Sequence, residues 1–240
     1  LPIYLICFET ELTILRSLNS PFVPRFIKGG NLAKTPYIAM SRIPGVALEK
    51  ILIEKKQLSI EQTITIALNL LKALQNLHAQ EVIHLDLKPD NILIDDNNEV
   101  YLIDFGLAHH SRYPDLLAEE MRKGIGSAPY ISPEQVVGVR EDSRSDIFAF
   151  GVIVYEMLTG KLPFDNPQSL SGLKKRFWAQ AKPLRSIRTD VPPWLQEIVL
   201  RCLEPFAKDR YQSATHIRQL LREPGTIKLT ERAERLEIGR

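Results

Sequence analysis

One stretch of this 240-residue chain is apolar on almost every side. A helix without a polar face lies in the interior of a protein, because no side of it is suited to water. Gly160 follows this stretch and is typical of a C-terminal helix cap. The sequence therefore predicts a buried central helix, which the rest of the fold must surround. Its large apolar side chains are Ile147, Phe148, Phe150, Val152, Ile153, Val154, Met157 and Leu158.

Shorter patterns predict the elements around this helix. Ser59, with Gln62 three residues later, is a capping-box signature and opens a second helix. We expect its apolar face to contain Ile64, Ala67, Leu68, Leu71 and Leu74, and His78 to be a solvated or capping residue at its end. Leu12, Leu15 and Leu18 give an earlier helix one apolar stripe. Helices are also predicted at 194–203 and 213–221, and strands at 26–28, 37–40, 92–94 and 100–103, the last two joined by a turn at 95–98.

Composition places the chain among ordinary globular proteins. It is 44% apolar and 25% charged, and its net charge of +2 is too small to indicate binding to nucleic acid or to a membrane. Two cysteines, Cys7 and Cys202, give no disulfide framework. No apolar run approaches the ~20 residues of a spanning helix. The apolar stretch 1–8 is not preceded by the basic region that a signal peptide has. We therefore expect a cytoplasmic protein.

Two short strings carry the chemistry. Residues 84–91 read HLDLKPDN, and residues 104–106 read DFG, eighteen residues after Asp86 and behind a strand-like run. Phosphoryl transfer from a nucleotide needs one carboxylate to orient the attacking hydroxyl and take its proton, a second carboxylate and an amide oxygen to hold magnesium, and a lysine beside the transferred phosphate. Asp86, Asp104, Asn91 and Lys88 can fill these roles in that order.

This pair of strings resembles the catalytic loop and the metal-binding turn of eukaryotic-type (Hanks-type) serine/threonine protein kinases, especially the bacterial members. Other landmarks of that family follow in order over about residues 8–221. Ser132-Pro133-Glu134 resembles the family's Ala-Pro-Glu, and Arg210 resembles the arginine that pairs with its glutamate. Gly126, Ser127 and Tyr130 resemble the segment that receives the substrate peptide.

The resemblance implies an α+β fold with two lobes, in which the N-lobe is truncated and the C-lobe is mainly helical. It implies a partial N-lobe at 1–43, a C-lobe at 44–222 and a charged tail or linker at 223–240. The implied activity is transfer of the ATP γ-phosphoryl group to serine or threonine hydroxyls of a protein substrate, with ATP and Mg²⁺ as cofactors. No nucleic acid or membrane partner is expected.

The resemblance also assigns roles to individual residues. The catalytic residues would be Asp86, Lys88 and Asn91, and the metal ligands would be Asn91 and Asp104. The nucleotide would be bound by Glu11, Met40, Ser41, Ile43, Leu93 and Asp104. Structural roles fall to His84, Phe105, Gly106, Glu134, Asp146 and Arg210, and the ring of His84 would pack beneath Phe105. The neighbouring His109 and His110 are rejected as metal ligands, because adjacent strand residues point apart and no third ligand has a suitable spacing.

Two departures from the family pattern affect the expected activity. The ten residues before Glu11 contain no glycine and no lysine, so the family's glycine-rich loop and strand lysine have no counterpart there. Because the chain also starts with leucine, we interpret it as a fragment with low activity, with a possible fused domain beyond either end. Leu85 stands where most of the family has the arginine that pairs with a phosphorylated residue, so the usual switch is not expected.

Two alternatives remain open from the sequence alone. A pseudokinase or scaffold would keep the fold without the chemistry. A small-molecule phosphotransferase shares the use of an aspartate with an asparagine, although the Ser132-Pro133-Glu134 segment and Arg210 argue against it. Transfer of phosphate to a generic protein substrate distinguishes the three classes.

Overall fold

The computed structural model describes residues 2–121, 128–164 and 169–237. The predicted peptide-binding residues Gly126 and Ser127 lie outside this part. The helices are α1 (Ile3–Ser17), α2 (Leu48–Lys55), α3 (Ile60–Ala79), α4 (Ala118–Met121), α5 (Pro133–Val136), α6 (Arg144–Thr159), α7 (Leu170–Lys174), α8 (Pro193–Cys202), α9 (Ala214–Arg222) and α10 (Glu231–Glu234). The strands are β1 (Phe26–Gly29), β2 (Ile38–Met40), β3 (Val46–Ala47), β4 (Val82–Ile83), β5 (Ile92–Ile94), β6 (Val100–Leu102) and β7 (His109–His110).

The smaller lobe consists of α1 and the antiparallel pair β1–β2, in which Phe26 lies opposite Met40. Helix α1 begins at Ile3, well before the stripe that predicted it, and buries Leu12, Ile14 and Leu15. The backbone N–H of Leu102 donates to the carbonyl of Phe22 at 2.8 Å, which joins this lobe to β6.

The larger lobe is built around α6, which confirms the predicted central helix. Its residues from Ser145 to Thr159 are buried apart from Glu156, and Gly160 caps it with a left-handed φ of 64°. Gly151 allows α6 to approach α8 closely, because a Cβ atom there would lie 2.7 Å from Cβ of Cys202. The same apolar core continues into the smaller lobe through Ile14 and Leu15. The α+β expectation, with a small N-terminal lobe and a mainly helical C-terminal lobe, is confirmed.

Helix α3 begins as predicted and turns to the core a face that only partly matches the predicted one. The Ser59 hydroxyl accepts a hydrogen bond from the N–H of Gln62 at 3.1 Å. Ile64 and Leu68, which we expected on the buried face, are only half-buried. The fully buried side chains are Thr63, Ile66, Ala67, Leu70, Leu71, Ala73, Leu74 and Leu77. The apolar stripe is therefore wider than the predicted one and centred one residue away from it.

Strands of two or three residues flank the loops that carry the predicted chemistry. Strands β3, β5 and β6 form one sheet, and β4 pairs with β7 in another, all antiparallel. The turn at 95–98 joins β5 to β6 as predicted, with Asp95 Oδ1 accepting from the N–H groups of Asn97 and Glu99 at 2.9 Å. This hairpin places Asn91 just before one strand and Asp104 just after the other.

The predicted tail or linker at 223–240 needs a correction over its described residues. Gln196 on α8 donates from Nε2 to the carbonyls of Arg232 and Arg235, both at 2.8 Å. Glu197 accepts from the hydroxyl of Thr230 at 2.8 Å, and Ala233 is fully buried. This stretch is therefore docked on α8, because two buried polar side chains of that helix satisfy its backbone.

No helix in residues 2–121, 128–164 or 169–237 combines the length and the apolar character that a membrane crossing requires.

Candidate active site

The loop between β4 and β5 brings three predicted catalytic residues together. The Asn91 amide donates from Nδ2 to the backbone carbonyl of Asp86 at 2.9 Å and to its Oδ2 atom at 3.2 Å. Lys88 Nζ lies 3.1 Å from the same Oδ2. Burial alone lowers the pKa of Lys88, but the charge of Asp86 raises it above its usual value, so the lysine is a cation. Asn91 and Lys88 thus hold the Asp86 carboxylate from two sides.

The 104–106 turn lies beneath the small lobe. Asp104 has a left-handed φ of 64°, and its Oδ1 accepts from the N–H of Gly106 at 3.3 Å. A non-glycine residue in this region is strained and persists only where its surroundings fix it. Gly106 also permits close contact with α1, because a Cβ atom there would lie 3.3 Å from Cβ of Cys7.

His84 supports both loops, in line with the structural role assigned to it. Its ring centroid lies 5.1 Å from that of Phe105. Its Nε2 is 3.1 Å from the carbonyl of Ile103, and its Nδ1 accepts from the N–H of Asp86 at 3.4 Å. Since a carbonyl only accepts, Nε2 carries the proton in this arrangement. Both ring nitrogens are engaged in holding backbone, which leaves His84 unsuited to act as a base.

Asp146, at the start of α6, is the buried anchor of the catalytic loop. Its carboxylate accepts from the N–H groups of His84 and Leu85 at 2.9 Å each and lies 2.9 Å from Nε2 of His78. Burial by itself raises the pKa of Asp146, but the hydrogen bond from His78 and the nearby His84 keep it below its usual value. These bonds fix Leu85 at a left-handed φ of 60°. The assignment of His78 as a solvated or capping residue was therefore wrong.

Glu11 reaches from α1 to the 104–106 turn. Its Oε1 accepts from the N–H of Phe105 at 3.4 Å. Burial, and then the nearby charge of Asp104, raise the pKa of Glu11 above its usual value. Leu15, one turn later, is buried in the same apolar cluster as Phe105.

Four of the residues predicted to bind the nucleotide lie near the boundary between the lobes. Met40 ends β2 and packs against the core, and Leu93 is the central residue of β5. Ser41 is tied back to Arg25, from whose N–H its hydroxyl accepts at 2.9 Å. Met40, Ser41, Ile43 and Leu93 are all half-buried. Their role in nucleotide binding stays a prediction.

Glu134 and Arg210 form the predicted ion pair. Both terminal nitrogens of Arg210 donate to the carboxylate of Glu134, at 2.6 and 2.8 Å. A bidentate pair of this kind combines charge with fixed geometry. Arg210 is 1% exposed and also donates to the carbonyl of Arg144 at 3.0 Å. The pair therefore fastens α5 to the start of α6 and to the segment before α9.

Comparison with known proteins agrees with this arrangement. The family model described as "Protein kinase domain" matches residues 6–224. The chain belongs to the protein kinase family.

Among the curated relatives of this kinase domain are several bacterial enzymes. A probable serine/threonine-protein kinase of Clostridium acetobutylicum is 36% identical over 181 residues, which cover 75% of this chain and 27% of the relative. One from Clostridium perfringens is 33% identical over 210 residues, 88% of this chain and 30% of the relative. The serine/threonine-protein kinase PknL of Mycobacterium tuberculosis is 32% identical over 211 residues, 88% of this chain and 52% of the relative. The chain thus spans between about a quarter and half of the length of these relatives.

Sequence reasoning missed several residues that brace this kinase site. Gln135 donates from Nε2 to the carbonyl of Leu85 at 2.8 Å, which helps to hold the catalytic loop. Arg140 forms a buried ion pair with Asp115, at 2.6 Å from Nε to Oδ2. Arg176 is 3% exposed and donates to the carbonyls of Pro129, at 3.0 Å, and of Ile131. No local pattern identifies such residues, because their partners are distant in the sequence.

An acidic cavity lies beside the catalytic loop. It has a volume of about 370 Å³, and its lining includes Glu49, Asp90, Tyr130 and Glu156. The Tyr130 hydroxyl donates to Glu156 at 2.6 Å, and burial followed by the charge of Glu156 raises the pKa of Tyr130. A hydrogen bond with Asp90, and then its charge, raise the pKa of Glu49. The lining also contains Lys56, but its three carboxyl groups outnumber this one cation, which makes this part of the surface favourable for a positive charge.

Proposed function

We propose that this chain transfers the γ-phosphoryl group of ATP to serine or threonine hydroxyls of a protein substrate. The observation that carries the proposal is the Asp86 carboxylate held by Lys88 and Asn91, with Lys88 Nζ 3.1 Å from Oδ2. A carboxylate paired with a lysine and an asparagine on one loop is the arrangement that phosphoryl transfer to a hydroxyl requires. The named activity of the bacterial relatives supports the same reaction.

In this mechanism Asp86 accepts a hydrogen bond from the substrate hydroxyl, directs the oxygen at the γ-phosphorus and takes the proton as the new O–P bond forms. The bond from the γ-phosphorus to the β–γ bridging oxygen breaks at the same time, and ADP leaves. The positively charged Lys88 lies beside the same Asp86 carboxylate and offsets the negative charge of the transferred phosphoryl group. Because the transition state is loose, positioning and electrostatics supply most of the rate.

Asn91 and Asp104 are the residues that would hold magnesium. The Asn91 amide donates its hydrogens to Asp86, which leaves its amide oxygen available as a ligand. The carboxylate of Asp104 would supply the second ligand. Such an oxygen-only donor set fits Mg²⁺. When bound, the metal neutralises charge on the nucleotide phosphates. The Glu11 carboxylate, which the resemblance assigns to nucleotide binding, accepts a hydrogen bond from the N–H of Phe105 in this structure.

The test compares Asp86→Asn with the matched control Asp96→Asn, which changes an exposed aspartate in the turn after β5. Each variant is assayed for transfer from labelled ATP to a generic protein substrate, in the longest natural reading frame that contains this chain. We expect Asp86→Asn to abolish transfer with little change in nucleotide affinity, and Asp96→Asn to behave as wild type. Asp104→Asn should instead weaken the magnesium-dependent part of nucleotide binding. Wild-type turnover of Asp86→Asn would refute the proposed role of Asp86.

A further inference from the structure

A buried arginine is hydrogen-bonded to the residues that directly follow the 104–106 turn. The proposed mechanism does not use this arginine. Arg140 precedes α6 and is 3% exposed. Its Nη2 donates to the carbonyls of Leu107 and Ala108, at 3.1 and 3.2 Å. These carbonyls follow Gly106 directly in the chain. Glu11 and His84 hold Phe105 from the other side, so the turn is fixed before and after its bend.

The partner of Arg140 is an aspartate of the same segment. Arg140 Nε donates to Oδ2 of Asp115 at 2.6 Å, while Oδ1 accepts from the N–H of Leu117 at 3.1 Å. His109 Nδ1 lies 3.6 Å from Oδ2. Burial alone raises the pKa of Asp115, but the neighbouring His109 and the hydrogen bond from Arg140 lower it to about 2. Asp115 is therefore an anion at neutral pH, and the cation that matches its charge lies in the segment just before α6.

This arrangement needs no added phosphate. An anion on the segment between β7 and α4 is anchored by a buried cation, and the anion is an unmodified side chain of the chain itself. Leu85, which directly precedes Asp86 in the catalytic loop, is buried and offers neither a charge nor a side-chain donor to a phosphate. The ordering that a phosphorylated residue gives by pairing with a guanidinium is already supplied by Asp115.

We propose that Arg140 and Asp115 are positioning residues, which keep the 104–106 turn in its reactive arrangement without phosphorylation of the segment that follows it. The proposal rests on the proposed kinase function for its catalytic consequence. Its structural consequence, an ordered stretch from residue 105 to residue 117, can be measured without any phosphoryl transfer.

The experiment uses Arg140→Met, Arg140→Lys and Asp115→Asn, with Arg112→Met as the matched control. Arg112 lies on the same segment, but its side chain is 72% exposed and pairs with Glu81 at the surface. Each protein, in its longest natural reading frame, is first treated with a phosphatase. Amide hydrogen exchange is then followed over residues 104–117, and kcat and KM are measured with magnesium-ATP and a generic protein substrate.

We expect Arg140→Met and Asp115→Asn to speed exchange over residues 105–117 by about tenfold or more, and to lower kcat by about tenfold or more, since a displaced reacting group costs rate. The KM for the protein substrate should change little, and Arg140→Lys should recover part of kcat because it keeps the charge. If Arg140→Met does not fold, Asp115→Asn, which keeps the shape of the side chain, decides the question.

Exchange and kcat of Arg140→Met and Asp115→Asn that match those of Arg112→Met would overturn the proposal. Loss of wild-type activity on phosphatase treatment would also overturn it. If the wild type transfers no phosphate but the exchange contrast persists, the proposed function fails and the ordering role of the ion pair stands.

Discussion

At the residue scale, the residues of the proposed site and those that support them differ in how far the sequence reveals them. Asp86, Lys88 and Asn91 lie within six residues, so one local string predicts their proximity. Asp146 joins the same site from 61 and 62 residues away by accepting from Leu85 and His84. Its position was predicted only because a family resemblance supplied it. Burial, rather than spacing, decides which polar residues brace a site.

The Asp115–Arg140 pair leads to a prediction about pH. The pKa of Asp115 is lowered from 3.8 to about 2 in the fold. A lowered pKa contributes stability above the unfolded value, and this stability is lost as the pH falls through the folded value. The difference in unfolding free energy between wild type and Asp115→Asn should therefore be constant from about pH 8 to 5 and shrink by roughly 2 kcal/mol between about pH 4 and 2.

Denaturant titrations of both proteins across this pH range measure that difference. His109 and Arg140 are the titratable and charged groups that face Asp115. A difference that grows below pH 4 would contradict the predicted direction. Asp96→Asn serves as the control, since its exposed carboxylate is expected to give no such change.

At the scale of elements, local sequence signals predicted the helices and strands. The residues that were misjudged are those whose partners lie far away in the sequence. The Ser59 cap and the 95–98 turn were predicted because their hydrogen bonds join residues two to four positions apart. His78 was misassigned because its partner, Asp146, is 68 residues away. The stretch after Glu223 has the composition of a tail, but Gln196 and Glu197 on α8 hold its backbone. Composition cannot indicate partners that a distant helix provides.

The segment between β7 and α4 should work without modification. Ser111 and Tyr113 are its hydroxyl-bearing residues in the described stretch 104–121, and both are exposed. Ser111→Ala with Tyr113→Phe should leave kcat within about twofold of wild type, because neither hydroxyl is needed to order the segment. Tyr113→Phe keeps the ring that packs edge-on against His110 at 4.6 Å. A large loss of activity in steady-state assays would count against this expectation.

The acidic cavity predicts a preference for basic residues before the phosphoacceptor. Asp90 and Glu156 line it together with Glu49, so a substrate arginine there would meet three carboxyl groups. Glu156→Gln should lower kcat/KM for an arginine-containing peptide by about fivefold, roughly 1 kcal/mol, and leave the matching alanine peptide unaffected. Glu54→Gln, an exposed change on the same helix as Glu49, is the control. Selection of acidic residues upstream in a peptide library would refute the preference.

At the scale of the whole molecule, the two lobes differ in how much supporting structure they contain for the proposed reaction. The larger lobe surrounds α6, and its catalytic loop is tied to that helix by Asp146. The smaller lobe has one helix and the pair β1–β2, whereas about three strands with an apolar face are normally needed for a stable small sheet. Tyr4 and Ile27 in this lobe are 68% and 59% exposed. The larger lobe should therefore fold more stably than the smaller one.

This inequality leads to the prediction that residues 1–240 alone transfer phosphate poorly or not at all. The chain contains no glycine and no lysine before Glu11, so the α- and β-phosphates of ATP have no covering loop and no lysine partner from that side. Each ~1.4 kcal/mol of lost transition-state stabilisation costs tenfold in rate, and the loss of several such contacts would bring turnover near background. The measurement is a side-by-side assay of this chain and a form extended upstream, with magnesium-ATP and a generic basic protein as substrate. Circular dichroism of both forms would show whether the larger lobe is folded in each. Comparable turnover would contradict the prediction, because Glu11 and the catalytic loop would then position the nucleotide without a covering loop or an upstream lysine.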